Sequence, residues 1–271
     1  MYKNTDTRFS VLMAVYSKDD PVLLNAALQS IVDQTFREAE LILVEDGPIS
    51  KSLSDVIEDF RLNINIKSVR LDQNRGLSEA LNIGLSYVTT DIVFRADADD
   101  INRTCRFEIQ LGFILNGYDL VGGAIEEYEK GLPIAIRSVP LCASQIKKFL
   151  KYRNPFNHMT VVFKKSKVLE CGGYPKIHLK EDYALWAKMI ARGVNVLNLS
   201  EVLVNANAGH SMFERRGGWG YVYSEIQIQK HLYNCGLKSL VECVWTGFIR
   251  SIIFLMPAKM RGFVYLSFLR S

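Results

Sequence analysis

Short apolar runs alternate with amphipathic segments over the first hundred residues of the chain. Four of these runs end at polar or acidic residues and predict strands: Phe9–Val15, Leu41–Val44, Ile64–Leu71 and Asp91–Arg95. Between them lie segments whose apolar residues recur at helical spacing: Pro21–Gln34, Ser50–Phe60 and Leu77–Val88. Strands that alternate with helices of this length predict an α/β fold with a mostly parallel central sheet and right-handed crossovers.

Polar side chains follow the predicted strands, at the point where each strand ends. In sheets of parallel strands, ligands bind at the carboxyl ends of the strands. These ends carry Tyr16, Asp46 and the acidic run Asp97–Asp100, so we expect them to converge on one site. Neighbouring aspartates repel one another unless a cation neutralises them, and carboxylate oxygens suit Mg²⁺ or Mn²⁺. An isolated Asp-x-Asp is equally typical of a solvated turn or helix cap; its position at a strand end favours the metal site.

The second half of the chain has a less regular pattern. It predicts a helix over residues 103–116, short strands near Leu120–Ala124, Pro133–Ile136 and Met159–Phe163, and a helix over Glu181–Ala191. Gly193 is placed to end that last helix.

From about Trp219 the chain changes to long helical patterns, which predicts two regions: residues 1–218 and a C-terminal helical region, 219–271. Apolar residues there follow i, i+3, i+4 spacing: Leu237, Leu240, Val241, Val244, Trp245, Phe248, Ile249 and Ile252. The basic residues Arg250, Lys259, Arg261 and Arg270 punctuate the tail, and no uncharged apolar stretch of about 20 residues is present to span a membrane. The region either lies in a membrane interface or packs as a cap on the domain or on a second copy.

Composition and charge narrow the function classes. The five cysteines show no CxxC spacing, and the chain opens on the polar MYKNTDTRF, so we expect a reducing compartment and no secretory signal. The net charge of +4 comes from scattered basic residues, which argues against a nucleic-acid partner.

Five segments together resemble a known family: SVLMAVY (Ser10–Tyr16), VEDGP (Val44–Pro48), NRGLSEALNIGL (Asn74–Leu85), FRADADDINRTCRFEIQ (Phe94–Gln110) and KEDYALW (Lys180–Trp186). In this order and at these spacings, the sequence resembles family 2 of the inverting glycosyltransferases with the GT-A fold. It is most similar to bacterial members that build O-antigen and exopolysaccharide repeats. The resemblance runs from about Phe9 to Gly218.

The resemblance implies a UDP-sugar donor site. Asp46 matches the position that reads the uracil edge, although Glu45 replaces the aspartate usual before it. The other donor contacts implied are Val15, Tyr16, Arg75, Arg95, Asp97, Arg215 and Arg216. Guanidinium groups pair well with diphosphate oxygens, but Arg75 is also placed for a surface ion pair. The loop with Arg215 and Arg216 is bounded by glycines and is placed to close over the phosphates.

The resemblance also implies a divalent metal, Mn²⁺ or Mg²⁺. Asp99 is the expected ligand between the phosphates, and Asp97 contacts the ribose or the metal. Asp100 has the least defined role of the run. His210 lies at about the distance along the chain where these enzymes supply a histidine ligand, although a lone histidine is more often a packing or surface group.

Glu181 and Asp182 match the carboxylate pair that supplies the general base, for which we favour Asp182. Without the resemblance, two acids in a first helical turn simply complement the helix dipole. The implied acceptor is a hydroxyl of a lipid-linked (diphospho-polyprenyl) saccharide. The implied location is cytoplasmic, peripheral on the inner face of the cytoplasmic membrane.

Two alternatives stay open at this point. A nucleotidyltransferase shares the α/β sheet and acidic metal ligands, but it needs a glycine-rich phosphate loop and an early lysine that SVLMAVYSKDDP lacks. A non-catalytic membrane scaffold of the same fold needs no intact carboxylates, whereas Asp97, Asp99 and Asp182 are all present.

Overall fold

The computed structural model describes residues 7–36, 39–129, 131–207, 217–257 and 260–261. Its strands are β1 Phe9–Val15, β2 Ala39–Glu45, β3 Asn65–Arg70, β4 Ile92–Arg95, β5 Ile101–Asn102, β6 Leu120–Glu129, β7 Leu132–Arg137, β8 Val162–Lys164 and β9 Val196–Asn207. Its helices are α1 Pro21–Val32, α2 Lys51–Phe60, α3 Leu77–Tyr87, α4 Arg106–Leu115, α5 Ala143–Leu150, α6 Lys165–Glu170, α7 Glu181–Ala191, α8 Trp219–Asn234 and α9 Leu240–Leu255, with a 3-10 helix over His158–Thr160.

The strands join into one mixed sheet in the order β3-β2-β1-β4-β8-β6-β9-β5, with β7 paired to β6. The half formed by β3, β2, β1 and β4 is parallel throughout, as the alternating pattern predicts. Beyond β4 the sheet is mixed, because β8 runs antiparallel to both β4 and β6 while β9 runs parallel to β6. The predicted α/β fold is confirmed, and the mostly parallel description holds for its first half.

Helices cover both faces of this sheet, and β1 is buried on both sides. Phe9, Val11 and Met13 face a core shared with α1, α2 and α4, whereas Leu12 faces a core shared with α3, α5, α7 and α8. A strand buried on both faces has no polar face to alternate with, which explains the nearly continuous apolar run FSVLMAV. The fold therefore holds the carboxyl end of β1 rigidly at the centre of the sheet.

Three parts of the second half differ from the sequence expectation. The predicted strand Met159–Phe163 is instead the 3-10 helix followed by β8, which begins at Val162. The long strand β9 carries polar residues among its apolar ones and was not predicted. Helix α4 begins at Arg106, three residues later than expected, because the backbone N–H of Arg103 still donates to Leu203 of β9 and residues 104–105 form a turn.

The C-terminal helices pack on the α/β core with one side only. Ile228 and Leu232 of α8 join the core that contains Trp186 of α7. Most of the apolar stripe predicted along α9 faces outward, as shown by Val244 and Trp245, which are exposed. Among the residues that the structure describes, no helix is both long and apolar enough to cross a bilayer.

Two of the basic residues that punctuate this region, Arg250 and Arg261, make inward contacts. Arg250 points inward, with its Nη1 donating to the carbonyl oxygen of Tyr152 and its Nε 3.8 Å from Oε2 of Glu225. Arg261 is buried and donates to the carbonyl oxygen of Met256 at 2.9 Å. Lys259 and Arg270 lie outside the described residues.

Candidate active site

Asp46 stands directly after β2 and holds the loop that leads into α3. Its Oδ1 accepts from the backbone N–H of Arg75 at 2.7 Å, and its Oδ2 accepts from that of Gly76 at 3.0 Å. Gly47 follows at a φ of +87°, and a Cβ there would lie 2.6 Å from the backbone nitrogen of Asn74. This carboxylate therefore fixes the Asn74–Gly76 loop against the sheet, a structural role that the sequence did not reveal. Its predicted contact with uracil stays a prediction.

The side chain of Arg75 turns away from Asp46 toward Glu79 in the first turn of α3. Its Nη1 lies 3.2 Å from Oε1 of Glu79, whose other oxygen accepts from Lys176 at 2.5 Å. These two cations lower the pKa of Glu79. In this arrangement Arg75 takes the ion-pair role named as its alternative, and its contact with a diphosphate stays a prediction.

The acidic run after β4 forms a carboxylate group with an unpredicted member, Asp19. Burial, followed by the charges of Asp97 and Asp19, raises the pKa of Asp99 to about 6. Burial also raises the pKa of Asp19 to about 6, with a smaller contribution from the charge of Asp97. Asp19 follows the end of β1 and accepts from the backbone N–H of Tyr16 at 2.9 Å. The carboxyl ends of β1 and β4 therefore bring these acids together, as expected for adjacent parallel strands.

Arg95, the last residue of β4, lies beneath this group. Only 1% of its side chain is exposed, and its guanidinium donates to Asp97 and to the carbonyl oxygen of Ala96. The predicted contact of Arg95 with the diphosphate is not supported in this arrangement, because the guanidinium is buried behind Asp97. The residue instead positions Asp97 and offsets part of the negative charge.

Asp100 differs from its two neighbours in the run. It is buried, and its Oδ1 accepts from the backbone N–H of Asn207 at 2.8 Å, at the end of β9. Burial, followed by the charges of Asp97 and Asp99, raises its pKa well above the ordinary value. These contacts make Asp100 a link between the acidic run and β9.

A buried polar ladder supports β4 from below. Arg106 donates through Nη2 to the carbonyl oxygen of Arg95 at 2.8 Å and through Nε to Gln110 at 3.0 Å. Gln110 donates to the carbonyl oxygens of Val121 and Thr160. Arg106 and Gln110 occupy i, i+4 positions on the inner face of α4, so the sequence FRADADDINRTCRFEIQ places a support directly after the acidic run. Sequence reasoning quoted these residues but gave them no role.

The pair His158 and Tyr174 lies between the acidic run and the start of α7. The Nε2 of His158 and the hydroxyl of Tyr174 share a hydrogen bond of 3.1 Å, and both rings pack against Trp186. Burial, followed by the charge of Arg95, lowers the pKa of His158 to about 4, so the imidazole is neutral at neutral pH. The charges of Asp97 and Asp182 act on both rings. The acidic run and the start of α7 therefore face one site.

Glu181 and Asp182 form the first turn of α7. The Oδ2 of Asp182 accepts from Nδ2 of Asn154 at 2.5 Å, and its Oδ1 accepts from the backbone N–H of Tyr183 at 2.7 Å. Burial, followed by the charge of Asp182, raises the pKa of Glu181 to about 7. The two carboxylates thus differ: Asp182 is held by hydrogen-bond donors, whereas Glu181 binds a proton near neutral pH.

Residues 10–173 match the sequence profile described as Glycosyl transferase family 2. The chain is 41% identical over 270 residues to the UDP-Gal:alpha-D-GlcNAc-diphosphoundecaprenol beta-1,3-galactosyltransferase of Escherichia coli, covering 97% of each chain. This chain belongs to glycosyltransferase family 2. It is also 37% identical to the amylovoran biosynthesis glycosyltransferase AmsE of Erwinia amylovora, covering 95% of this chain and 97% of that one.

Solved structures place this glycosyltransferase in the GT-A fold. The S. aureus TarS structure of residues 1–349 in complex with UDP-GlcNAc has a TM-score of 0.72 at 17% identity, and covers 97% of this chain and 76% of that one. The mannosyltransferase PcManGT of Pyrobaculum calidifontis, in complex with GDP-Man and Mn²⁺, has a TM-score of 0.60 at 14% identity. It covers 96% of this chain and 84% of that one. The predicted family and fold are therefore confirmed.

The acidic run of this glycosyltransferase has the donor chemistry that a divalent cation needs. Asp97 and Asp99 offer hard oxygens, and a bound cation would offset both the burial and the neighbouring negative charges that raise the pKa of Asp99. Within the described ranges, no group of three or more His, Cys, Asp or Glu side chains is arranged to hold a metal ion. Asp97 and Asp99 are the described side chains that would hold such a cation. The predicted ligand His210 and the predicted phosphate contacts Arg215 and Arg216 lie outside the described residues.

A buried ion pair joins the C-terminal helices to the helix that carries Glu181 and Asp182. Lys180, the residue before Glu181, donates to Oε2 of Glu225 on α8 at 2.6 Å. Burial raises the pKa of Glu225, but the charges of Arg250 and Lys180 outweigh that effect and hold the pKa below its usual value. Sequence reasoning missed Lys180, Asn154 and Glu225, because their roles depend on contacts between segments far apart in the chain.

Proposed function

We propose that this chain is an inverting, metal-dependent hexosyltransferase that moves a sugar from a UDP-sugar to a hydroxyl of a lipid-linked saccharide in bacterial surface polysaccharide assembly. The observation that carries this proposal is the 41% identity, over nearly the full length of both chains, to an enzyme whose name specifies UDP-Gal and a diphosphoundecaprenol-linked sugar. The proposal for the donor is a UDP-hexose, with UDP-galactose as the first candidate.

The two carboxylate groups of the site support an inverting transfer. Asp182 takes the proton of the acceptor hydroxyl as that oxygen forms its bond to the anomeric carbon. The bond from the anomeric carbon to the diphosphate oxygen breaks at the same time, and UDP leaves with the electron pair. Asp97 and Asp99 would hold the divalent cation, which would supply charge stabilisation to the departing diphosphate. No covalent intermediate on the protein is needed.

The surroundings of Asp182 support its choice as the base. The hydrogen bond from Asn154 fixes the orientation of its carboxylate, and the neutral ring of His158 adds no positive charge beside it. Glu181 is the second catalytic candidate, with a pKa of about 7 that suits proton transfer near neutral pH.

The proposed location is the cytoplasmic face of the inner membrane, with the protein bound peripherally. A polyprenyl diphosphate acceptor is held in the bilayer, so the enzyme must work beside it. The exposed apolar residues of α8 and α9 support this part of the proposal.

The deciding experiment is a transfer assay with the purified protein, a panel of UDP-sugars and a short-chain diphospho-lipid saccharide, each with Mn²⁺, with Mg²⁺ and with EDTA. We expect one UDP-hexose to be transferred, EDTA to abolish the transfer, and the product to have the inverted anomeric configuration by NMR. Transfer that is undiminished in EDTA would show that the enzyme does not need a divalent metal. If every pair of donor and acceptor releases UDP but forms no glycosylated product, the proposed acceptor class is wrong.

A further inference from the structure

The outward sides of α8 and α9 form one exposed apolar surface. We call it the α8–α9 face and define it by Trp219 and Tyr223 on α8 and by Val241, Val244, Trp245 and Phe248 on α9. The two helices run side by side, since the backbone N–H of Gly218, just before α8, donates to Phe254 near the end of α9. Val241 is 78% exposed and Trp245 is 66% exposed. Large apolar side chains that are exposed on two neighbouring helices of a folded protein mark a contact with a partner or a membrane.

Positive charge at the rim of this face comes from α5. Nζ of Lys151 lies 3.5 Å from Oε1 of Glu242, in the first turn of α9, so α5 ends beside the start of α9. Lys147 and Lys148 lie in the last turn of α5 and are exposed. Because Lys147 stands four residues before Lys151, the two lie on one side of the helix.

We propose that the α8–α9 face docks on a membrane surface that contains anionic lipids, with Lys147 and Lys148 contacting the lipid phosphates. This inference rests on the proposed function, which places the acceptor in a membrane. Tryptophan and tyrosine side chains suit the interface between headgroups and acyl chains, and lysines at its edge are attracted by anionic headgroups.

The same helices contact the base side of the active site through two separate segments. Arg250 of α9 donates to the carbonyl oxygen of Tyr152 at 2.6 Å, and Asn154, two residues later, holds Asp182. Glu225 of α8 binds Lys180, the residue before Glu181. Docking through the α8–α9 face therefore brings the membrane to the base side, where a saccharide on a lipid carrier must present its hydroxyl.

The test is co-sedimentation of the full chain with vesicles of phosphatidylglycerol and phosphatidylethanolamine, compared with vesicles of phosphatidylcholine alone. We expect Trp245→Ser with Phe248→Ser to lower the partition coefficient onto both kinds of vesicle by about tenfold or more. The double variant Lys147→Gln with Lys148→Gln should lower the preference for anionic vesicles by about ten- to thirtyfold. Its binding to phosphatidylcholine vesicles should stay unchanged. The matched controls are Leu62→Ser and Lys51→Gln, which should bind like the wild type. Leu62 is 97% exposed between α2 and β3, and Lys51 lies on α2.

Two outcomes would overturn the inference. One is vesicle binding by the double variants that equals that of the controls. The other is a wild-type dimer that the α9 substitutions convert to monomers without any change in vesicle binding, which would make the face a contact between copies. Transfer to a short-chain, water-soluble acceptor should be the same for all folded variants. If the wild type also transfers nothing there, the proposed function fails, while the vesicle result still decides whether the face docks on lipid.

Discussion

The side-chain amide of Asn154 donates a 2.5 Å hydrogen bond to the Oδ2 of Asp182. Asn154 lies after α5, and Asp182 lies in the first turn of α7, so the bond joins segments 28 residues apart. Hydrogen bonds to charged acceptors are among the stronger ones and fix the direction of the carboxylate. Asn154 is therefore a positioning residue for the proposed base.

Replacing Asn154 tests this relationship. We expect Asn154→Ala to lower kcat by about tenfold, because a catalytic group that loses its orientation loses part of its rate contribution. The KM for the UDP-sugar should stay within about twofold, since the amide holds the base and not the donor. Steady-state kinetics measures both, with Asn63→Ala on the exposed turn after α2 as control. A loss seen only in KM would contradict the positioning role.

Removing the base itself should have a larger effect. Asp182→Asn keeps the shape of the side chain but cannot accept the hydroxyl proton, so transfer should fall by about 10²-fold or more. Titration calorimetry with UDP and Mn²⁺ should give nearly the same affinity as the wild type. If turnover survives the change, Asp182 is not the base, and Glu181→Gln becomes the next variant to assay.

Glu181 should control how activity and stability depend on pH. Ionisation at its pKa of about 7 puts a second negative charge beside Asp182, which favours uptake of the acceptor proton. We expect kcat/KM of the wild type to rise through about pH 7 and the rise to disappear in Glu181→Gln.

The sign of the stability effect follows from the same shift. A glutamate whose pKa is raised from 4.5 to about 7 by folding stabilises the fold fully below pH 4.5 and loses that contribution as pH rises through 7. The melting temperature of Glu181→Gln, relative to the wild type, should therefore increase between pH 5 and pH 8. A constant difference across this range would contradict the raised pKa.

Two elements were predicted from the sequence with their correct bounds, for a physical reason. β1 and α7 were predicted with the bounds that the structure shows, because β1 is buried on both faces and α7 has a strong helical period. β9 was missed because its mixed burial leaves no clear period of two. The outward stripe of α9 was beyond prediction, since an amphipathic pattern does not say which partner covers the apolar side.

The candidate site was predictable where function resides in one short segment. The acidic run and the pair Glu181-Asp182 stand next to each other in sequence and at ends of regular elements. Asp19 and Asn154 join the site through contacts between loops, which no local pattern encodes. For Arg95 the residue type was misleading. An arginine suits a phosphate, but this side chain is buried and pairs with Asp97.

The acidic run predicts two distinct phenotypes for adjacent aspartates. Asp99→Asn should abolish the Mn²⁺-dependent rise in melting temperature that UDP gives the wild type, because the cation loses a ligand. It should also make the unliganded protein more stable at pH 7, because a buried carboxylate whose pKa is raised to about 6 loses its charge. Asp100→Ala should instead lower the free energy of unfolding by about 1–3 kcal/mol, because the buried N–H of Asn207 loses its acceptor. Thermal and urea unfolding measure both. Equal loss of the UDP effect in both variants, with Asp100→Ala as stable as the wild type, would show that Asp100 is a ligand rather than a link to β9.

The buried pair of Lys180 and Glu225 should be the most sensitive contact between α8 and the rest of the domain. Lys180→Met leaves the buried carboxylate of Glu225 with the amide of Gln229 and with Arg250 at 3.8 Å as its nearest cation, so the free energy of unfolding should fall by about 3–5 kcal/mol. The matched control is Lys167→Met, which breaks the solvent-facing pair with Glu170 at 3.1 Å and should leave the free energy of unfolding nearly unchanged. Urea unfolding at pH 7 compares the two variants. Similar small losses in both would mean that the pair contributes little. A large loss for Lys180→Met alone, accompanied by reduced kcat under native conditions, would establish that α8 holds the start of α7 in its active position.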